Sequence, residues 1–340
     1  MQPEHRALSV PGFVNAHSHT FQRGLRGRGS GGDFWAWRTS MLAEAERQTV
    51  ELVRSSYALA YREMRRAGYT AVGEFHYLGY PEAIAAAEAA REAQVELVLL
   101  LVAYERGGLD RFRQGTVADY LDQVEALRAA GLRVGVAPHS VCACSAAWLV
   151  EIGRYAESHD LVLHVHADEQ PREIEECLAE HGVRPIELLA RTGCLGPRTT
   201  VVHATHAVDG ELDLVARTGA RVCLCPTTEA NLGDGFAPVE RLLERSISLC
   251  IGSDSNIRID PLEELREIEG IARRHGGRRE VVPLDELLAI GSRHGAEALL
   301  LEDWPRVAPD IDHPSLAGIG TDEVLAALVF GCSADVLSPR

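Results

Sequence analysis

A (β/α)8 barrel is the fold this sequence predicts, on three observations. Eight short apolar, β-prone runs alternate with helical patterns along almost the whole chain. Several helical patterns close on a glycine just before the next run, at Gly68, Gly131 and Gly219, where a helix C-terminus favours that residue. Ionisable side chains gather at the C-terminal ends of the runs, which is where barrels of this class keep their active-site residues.

The first strand, 13–17, follows Val10-Pro11-Gly12 and leads into His17-Ser18-His19. Side chains alternate faces along a strand, so the two histidines point the same way and are suited to grip a divalent metal. A doubly wound open sheet, the alternative fold, predicts a glycine-rich phosphate loop here. The histidines stand in its place, and the glycines of 24–32 come later, mixed with arginines. That piece reads as an active-site loop or lid, or as a plain flexible loop.

The other strands are predicted over 70–75, 95–102, 133–137, 161–166, 200–203, 220–225 and 248–252. Helices are predicted over 50–67, 81–93, 117–130, 145–158, 172–191, 210–218, 239–245, 261–274 and 284–300. The second strand ends in Glu74, His76 and Tyr77, and the fourth in His139. The fifth runs into His164-Val165-His166-Ala167-Asp168-Glu169, and the sixth ends in His203-Ala204-Thr205-His206. The eighth gives Gly252-Ser253-Asp254-Ser255-Asn256. A single core histidine is ordinarily a satisfied polar group. Ionisable groups at so many strand ends are hard to explain by packing, because each buried one costs free energy unless paired.

Composition bounds the function. The chain has 340 residues, 46% of them hydrophobic and 25% charged, with a formal net charge of -16. That balance is ordinary for a globular enzyme and argues against nucleic acid or an anionic membrane as partner. A small-molecule substrate is expected, and an anionic one needs local arginines. Eight cysteines are scattered without a CxxC pair, which fits a reducing, cytoplasmic setting. The start, 1–9, is polar and lacks the apolar core of a signal peptide.

His17, His19 and one histidine of the fifth strand offer three nitrogen ligands, and Asp254 offers a carboxylate. This set suits one divalent ion, zinc before iron(II), with room for a water. Such an ion lowers the pKa of that water towards neutrality. Glu169, just beyond His166, is placed to move protons. His203 is placed to polarise the electrophile.

Taken together, Pro11-Gly12, His17-Ser18-His19, His166 with Glu169, His203 and Ser253-Asp254 resemble the metal-dependent amidohydrolase superfamily in its deaminase branch. Within that branch the resemblance is to the formimidoylglutamate deiminases. It is carried by His19-Thr20-Phe21-Gln22-Arg23, Phe34-Trp35-Ala36-Trp37-Arg38, Glu74-Phe75-His76-Tyr77, Ala137-Pro138-His139-Ser140 and Thr228-Glu229-Ala230-Asn231-Leu232-Gly233-Asp234-Gly235. The resemblance implies hydrolysis of N-formimidoyl-L-glutamate to N-formyl-L-glutamate and ammonia, a step of histidine degradation. It implies metal ligands His17, His19, His166 and Asp254, with His164 in support. It implies Glu169, His203 and Asp254 as the catalytic groups, and Gln22, Arg38, Tyr77 and His139 as substrate contacts. Arg38 is then the carboxylate clamp, since its fork suits bidentate binding.

The sequence departs from the family twice. The family has an arginine three residues after the fourth-strand histidine, helping to hold the substrate's carboxylate; Cys142 stands here. Cys142 and Cys144 read as apolar fillers rather than a second metal site. The family's flanking β-sandwich is expected to be missing or trimmed, with the barrel over 11–300 and a remnant over 301–340. An apolar flank left exposed would favour association into a homodimer. Two other readings follow: a deaminase or iminohydrolase for another formimidoyl or guanidino acid or an amino-purine, and a catalytically silent barrel that binds a ligand.

Overall fold

The structure, a computed structural model, describes residues 8–28 and 31–338. Gly29 and Ser30 of the predicted loop and residues 1–7 of the polar start lie outside them. The chain runs β1 (Val10–Pro11), β2 (Phe13–Ser18), α1 (Phe34–Glu46), α2 (Val50–Arg66), β3 (Tyr69–His76), α3 (Tyr80–Glu92) and β4 (Glu96–Ala103). It continues through α4 (Val117–Ala129), β5 (Val134–Pro138), α5 (Ala146–Ser158), β6 (Leu163–Ala167), α6 (Pro171–His181), α7 (Pro185–Arg191), β7 (Thr199–His203) and α8 (Asp209–Thr218). Then come β8 (Arg221–Leu224), α9 (Pro226–Leu232), α10 (Val239–Glu244), β9 (Leu249–Ile251), α11 (Pro261–Gly276), α12 (Leu284–Gly291), α13 (Arg293–Ala298), β10 (Arg306–Val307) and α14 (Val324–Gly331).

Strands β2 to β9 form one parallel sheet in sequence order. These are the eight predicted strands. Their backbones are buried on both faces, so they read as near-continuous apolar runs rather than alternating ones. Outside helices supply the cover: α2 turns Val53, Tyr57, Tyr61 and Met64 inward at helical spacing. Its first turn is capped by Thr49, whose hydroxyl accepts from the Leu52 N–H.

The barrel closes at its C-terminal rim. The His19 N–H donates to the Asp254 carbonyl (2.8 Å) and the Asp254 N–H to the His17 carbonyl (3.0 Å). Side chains staple the same seam. Asn15 Nδ2 donates to Ser253 Oγ (2.6 Å), Ser253 Oγ to Asn256 Oδ1 (2.7 Å), and Asn256 Nδ2 to Ser18 Oγ (3.0 Å). Gly252 lets the strands approach: a Cβ there would meet the His17 carbonyl at 2.7 Å and the His17 Cβ at 2.8 Å. Gly252→Ala is therefore expected to lower stability by about 1–3 kcal/mol and to lower metal content with it, measured by thermal unfolding and by metal analysis.

Five helical expectations need correction, one of them α14, which forms at Val324–Gly331 where no helix was predicted. Residues 34–46 form α1, capped by Asp33, whose carboxylate accepts from the Ala36 N–H at 3.0 Å. Its aromatic residues lack a helical period, which hid it. The predicted helix 172–191 is two, because Gly182 adopts φ +70° and Pro185 begins α7. The predicted helix 284–300 breaks at Ser292 into α12 and α13. A short helix, α9, follows β8 where none was expected. Outside the barrel, the described residues hold one further sheet, β1 antiparallel to β10 with Val10 opposite Val307. No helix among them is long and apolar enough to cross a membrane.

Candidate metal centre and active site

Three imidazoles and one carboxylate converge at the closing seam. His17 Nε2 lies 3.1 Å from His19 Nε2 and 3.1 Å from His166 Nε2, and the last two are 3.4 Å apart. Asp254 Oδ1 stands 3.5 Å from His17 Nε2 and 3.3 Å from His19 Nε2. Zinc–nitrogen bonds of about 2.0–2.1 Å imply tetrahedral edges of roughly 3.3–3.4 Å, so these separations fit a single small divalent ion. Burial holds His17 and His19 well below the usual histidine range, and brings His166 down to about 4. Neutral rings present lone pairs, as a cation requires. The His166 tautomer is fixed from behind, since Nδ1 donates to the His139 carbonyl at 2.9 Å and leaves Nε2 free for the ion.

His164 does not support the ligands. Its Nε2 bonds the Ala298 carbonyl at 3.1 Å, so that nitrogen is spent on the backbone. His76 does the same, on the Gly79 carbonyl at 2.9 Å. Glu74 instead braces the turn that carries His19: it accepts from the Thr20 N–H (2.8 Å) and the Thr20 hydroxyl (2.5 Å).

Beside the metal cluster, His203 sits among three carboxylates. Its Nε2 is 3.6 Å from Glu169 Oε1 and 3.7 Å from Asp254 Oδ2, and its Nδ1 is 3.2 Å from Glu229 Oε1. Burial opposes protonation of His203, but Glu169, Glu229 and Asp254 outweigh it and hold its pKa well above the usual range. Burial raises the Glu169 carboxyl to about 7, against the pull of His203. Backbone strain collects at the same strand ends: Asp168, His203, Ala204, Asp254 and Asn256 all have φ between +43° and +75°. Such conformations persist where the surroundings over-determine them, typically at functional sites.

The expected substrate contacts share one space with this cluster. A cavity of about 60 Å³ is lined by Gln22, Arg38, Tyr77 and His139 together with His19 and Glu169. Gln22 Nε2 donates to the Tyr77 hydroxyl at 3.2 Å, and its buried Oε1 has no partner among the described residues. Arg38 reaches the cavity from α1 and makes no ion pair among the described residues. A second cavity of about 270 Å³ adjoins the first, sharing Arg38, Tyr104, His139 and Glu169, and is walled further out by Trp35 and Cys142.

Sequence reasoning missed Glu229. The residue lies in the segment 228–235 that carries the family resemblance, with no role expected of it. Glu229 stands in the first turn of α9, where its Oε1 also accepts the Cys225 N–H at 2.9 Å. A short helix opening at a strand's C-terminal end, with an acid in its first turn, was the signal available. Glu229→Gln is expected to cut turnover about 10–100-fold, as loss of an orienting partner does, with metal content unchanged. Steady-state kinetics and metal analysis check this.

Comparison with known proteins agrees with this architecture. Residues 8–304 match the model of the Amidohydrolase family. Over 312 residues, 83% of this chain and 68% of the relative, the sequence is 36% identical to a formimidoylglutamate deiminase of Pseudomonas aeruginosa. It is 31% identical to a 5-methylthioadenosine/S-adenosylhomocysteine deaminase of Haloarcula marismortui over 88% of this chain and 70% of that one. An adenosine deaminase from Xanthomonas campestris, crystallised with zinc, shares the fold with a TM-score of 0.88 at 24% identity, over 97% of this chain and 77% of that one. The chain belongs to the amidohydrolase family, and it is a hydrolytic enzyme of carbon–nitrogen bonds with a site built for a divalent metal.

Proposed function

We propose that the protein hydrolyses N-formimidoyl-L-glutamate to N-formyl-L-glutamate and ammonia. The observation that carries this reading is Arg38, an arginine without an ion-pair partner among the described residues, in the cavity that His19, His166 and Asp254 of the four-residue cluster also line. A carboxylate-bearing substrate satisfies it; a neutral nucleoside does not. The formimidoylglutamate deiminase relative and the motif around Glu229 support the same choice.

The cluster of His17, His19, His166 and Asp254 would hold the ion, with zinc the best fit to nitrogen-rich ligands and iron(II) the alternative. When bound, it supplies a Lewis acid that makes a water nucleophilic near neutral pH. The chain's own residues do the rest. Glu169 takes a proton from the water as its oxygen bonds to the formimidoyl carbon, and returns it to the terminal nitrogen, which becomes an amine. The hydroxyl of the adduct then gives up its own proton, relayed by Asp254 and Glu169 to that amine; the bond from carbon to nitrogen breaks, ammonia leaves, and the carbon becomes the formyl carbonyl. Cationic His203, held by Glu229, steadies charge that develops beside it. Asp254, 3.7 Å from His203, takes part in the same proton traffic. Arg38, Gln22, Tyr77 and His139 bind and orient the substrate.

Deamination of an amino-purine is the second reading. The absent arginine at Cys142 and the roomy second cavity, with Trp35 and Tyr104 on its wall, favour it. The two are separated by measuring ammonia release from N-formimidoyl-L-glutamate and from the neutral nucleoside 5-methylthioadenosine, with zinc and with a chelator. Chelator-sensitive release from the first is expected. Release only from the second would establish the purine reading in its place.

A further inference from the structure

The segment after β5 carries Cys142 where the family resemblance leads one to expect an arginine, and the neighbouring loop holds a cation against it. Arg106, which follows β4, donates from Nε to the Cys142 carbonyl at 2.8 Å and from Nη2 to the Val141 carbonyl at 3.3 Å. Its side chain lines the larger cavity beside Arg38, Tyr104, His139 and Glu169. Two backbone carbonyls hold the guanidinium plane, so little freedom is lost when a ligand uses it. The outer edge of the fork is met by Glu180 on α6, at 2.8 and 2.9 Å. Both side chains of that pair are substantially exposed, 39% and 46%, and an exposed pair exchanges partners at small cost.

We infer that Arg106 is a relocated carboxylate anchor. From the loop after β4 it takes over the task that position 142 does not serve, exchanging Glu180 for a carboxylate of the substrate. The inference rests on the reading of the substrate as N-formimidoyl-L-glutamate, which has two carboxylates for the two arginines, Arg38 and Arg106. Arg172, a third arginine of the cavity, is engaged elsewhere. Its guanidinium lies 4.3 Å from the Trp35 ring centroid and its Nε donates to Glu176 at 2.8 Å. It makes no hydrogen bond to the segment around Cys142 among the described residues.

The test uses the zinc-loaded enzyme and four variants, R106M, E180Q, R172M and R106M combined with C142R. R106M is expected to raise KM for N-formimidoyl-L-glutamate by about 30-fold or more, mainly without loss of kcat. Restoring an arginine through C142R should recover at least about tenfold of that KM. R106M also frees two backbone carbonyls, so E180Q serves as the variant that leaves the anchor in place. It should lower KM about threefold or more, because the competing carboxylate is gone. An unchanged KM in R106M, no tightening in E180Q, or a larger KM effect in R172M than in R106M overturns the inference. Calorimetric titration with N-formyl-L-glutamate separates this claim from the substrate reading. If the wild type binds that dicarboxylate and R106M does not, yet no ammonia is released from the formimidoyl compound, the anchor stands and the substrate reading fails. If the wild type does not bind it, the anchor fails as well.

Discussion

Replacing Asp254 by alanine is expected to lower hydrolysis by more than about 10⁴-fold, because a water without a cation to acidify it is a poor nucleophile near neutral pH. Metal content should fall well below about one ion per chain, since a site with three of its four protein ligands binds more weakly. The side chain does two things here. Its Oδ1 faces His17 and His19 at 3.5 and 3.3 Å, and its Oδ2 faces His203 at 3.7 Å. Alanine removes both contacts but keeps the two backbone bonds that close the barrel between 254 and residues 17 and 19. The fold should therefore survive, with a lower thermal midpoint. Ligand binding at about 100-fold above its Kd stabilises a fold by about 2.7 kcal/mol, and loss of that linkage is what the midpoint should report. Added zinc should raise the midpoint of the wild type and leave that of the variant where it was. A variant that keeps its metal and a tenth of its activity would show that the ion is not held by this carboxylate.

The barrel was readable because its strands are short apolar runs and its helices end on glycines; both are local signals. The ligand cluster was readable for a different reason. Strand alternation puts His17 and His19 on one face, and barrel topology brings every strand's C-terminal end to one rim. Residues as far apart in sequence as His19 and Asp254 then become neighbours without any contact being foreseen. What stayed hidden depends on pairs that no local pattern encodes. Glu229 meets His203 across two elements, and Arg106 meets the Cys142 carbonyl across two loops. Helix α1 was hidden because one side of it faces a cavity and the other faces solvent, so its aromatic residues follow no stripe. His164 shows the converse error. Alternation put it on the same face as His166, but one strand step deeper it reaches the Ala298 carbonyl and not the ion.

Glu169→Gln should cost about 10³–10⁴-fold in turnover, the upper part of what a positioned proton carrier contributes, and should leave metal content and thermal midpoint unchanged. Glutamine keeps the shape of the side chain, and the backbone bond from residue 169 N–H to Glu173 Oε2 at 3.1 Å does not involve it. The ability to take and return a proton is lost, together with one of the three carboxylates that favour the His203 cation. The environment explains why this carboxylate suits the task. Burial lifts it to about 7, while the cation on His203 pulls the other way, so it can both accept and release a proton near neutral pH. A neighbouring carboxylate shows how place decides the role. Glu229 is the more deeply buried of the two, but its Oε1 is committed to the Cys225 N–H and to His203 Nδ1, on the side of the ring away from the metal cluster. Its loss should therefore weaken orientation and cost less. If the two glutamine variants lost activity to the same extent, with Glu169→Gln no worse than about 100-fold, proton transfer would have to be assigned to another group, and Asp254 is the next carboxylate within reach of His203.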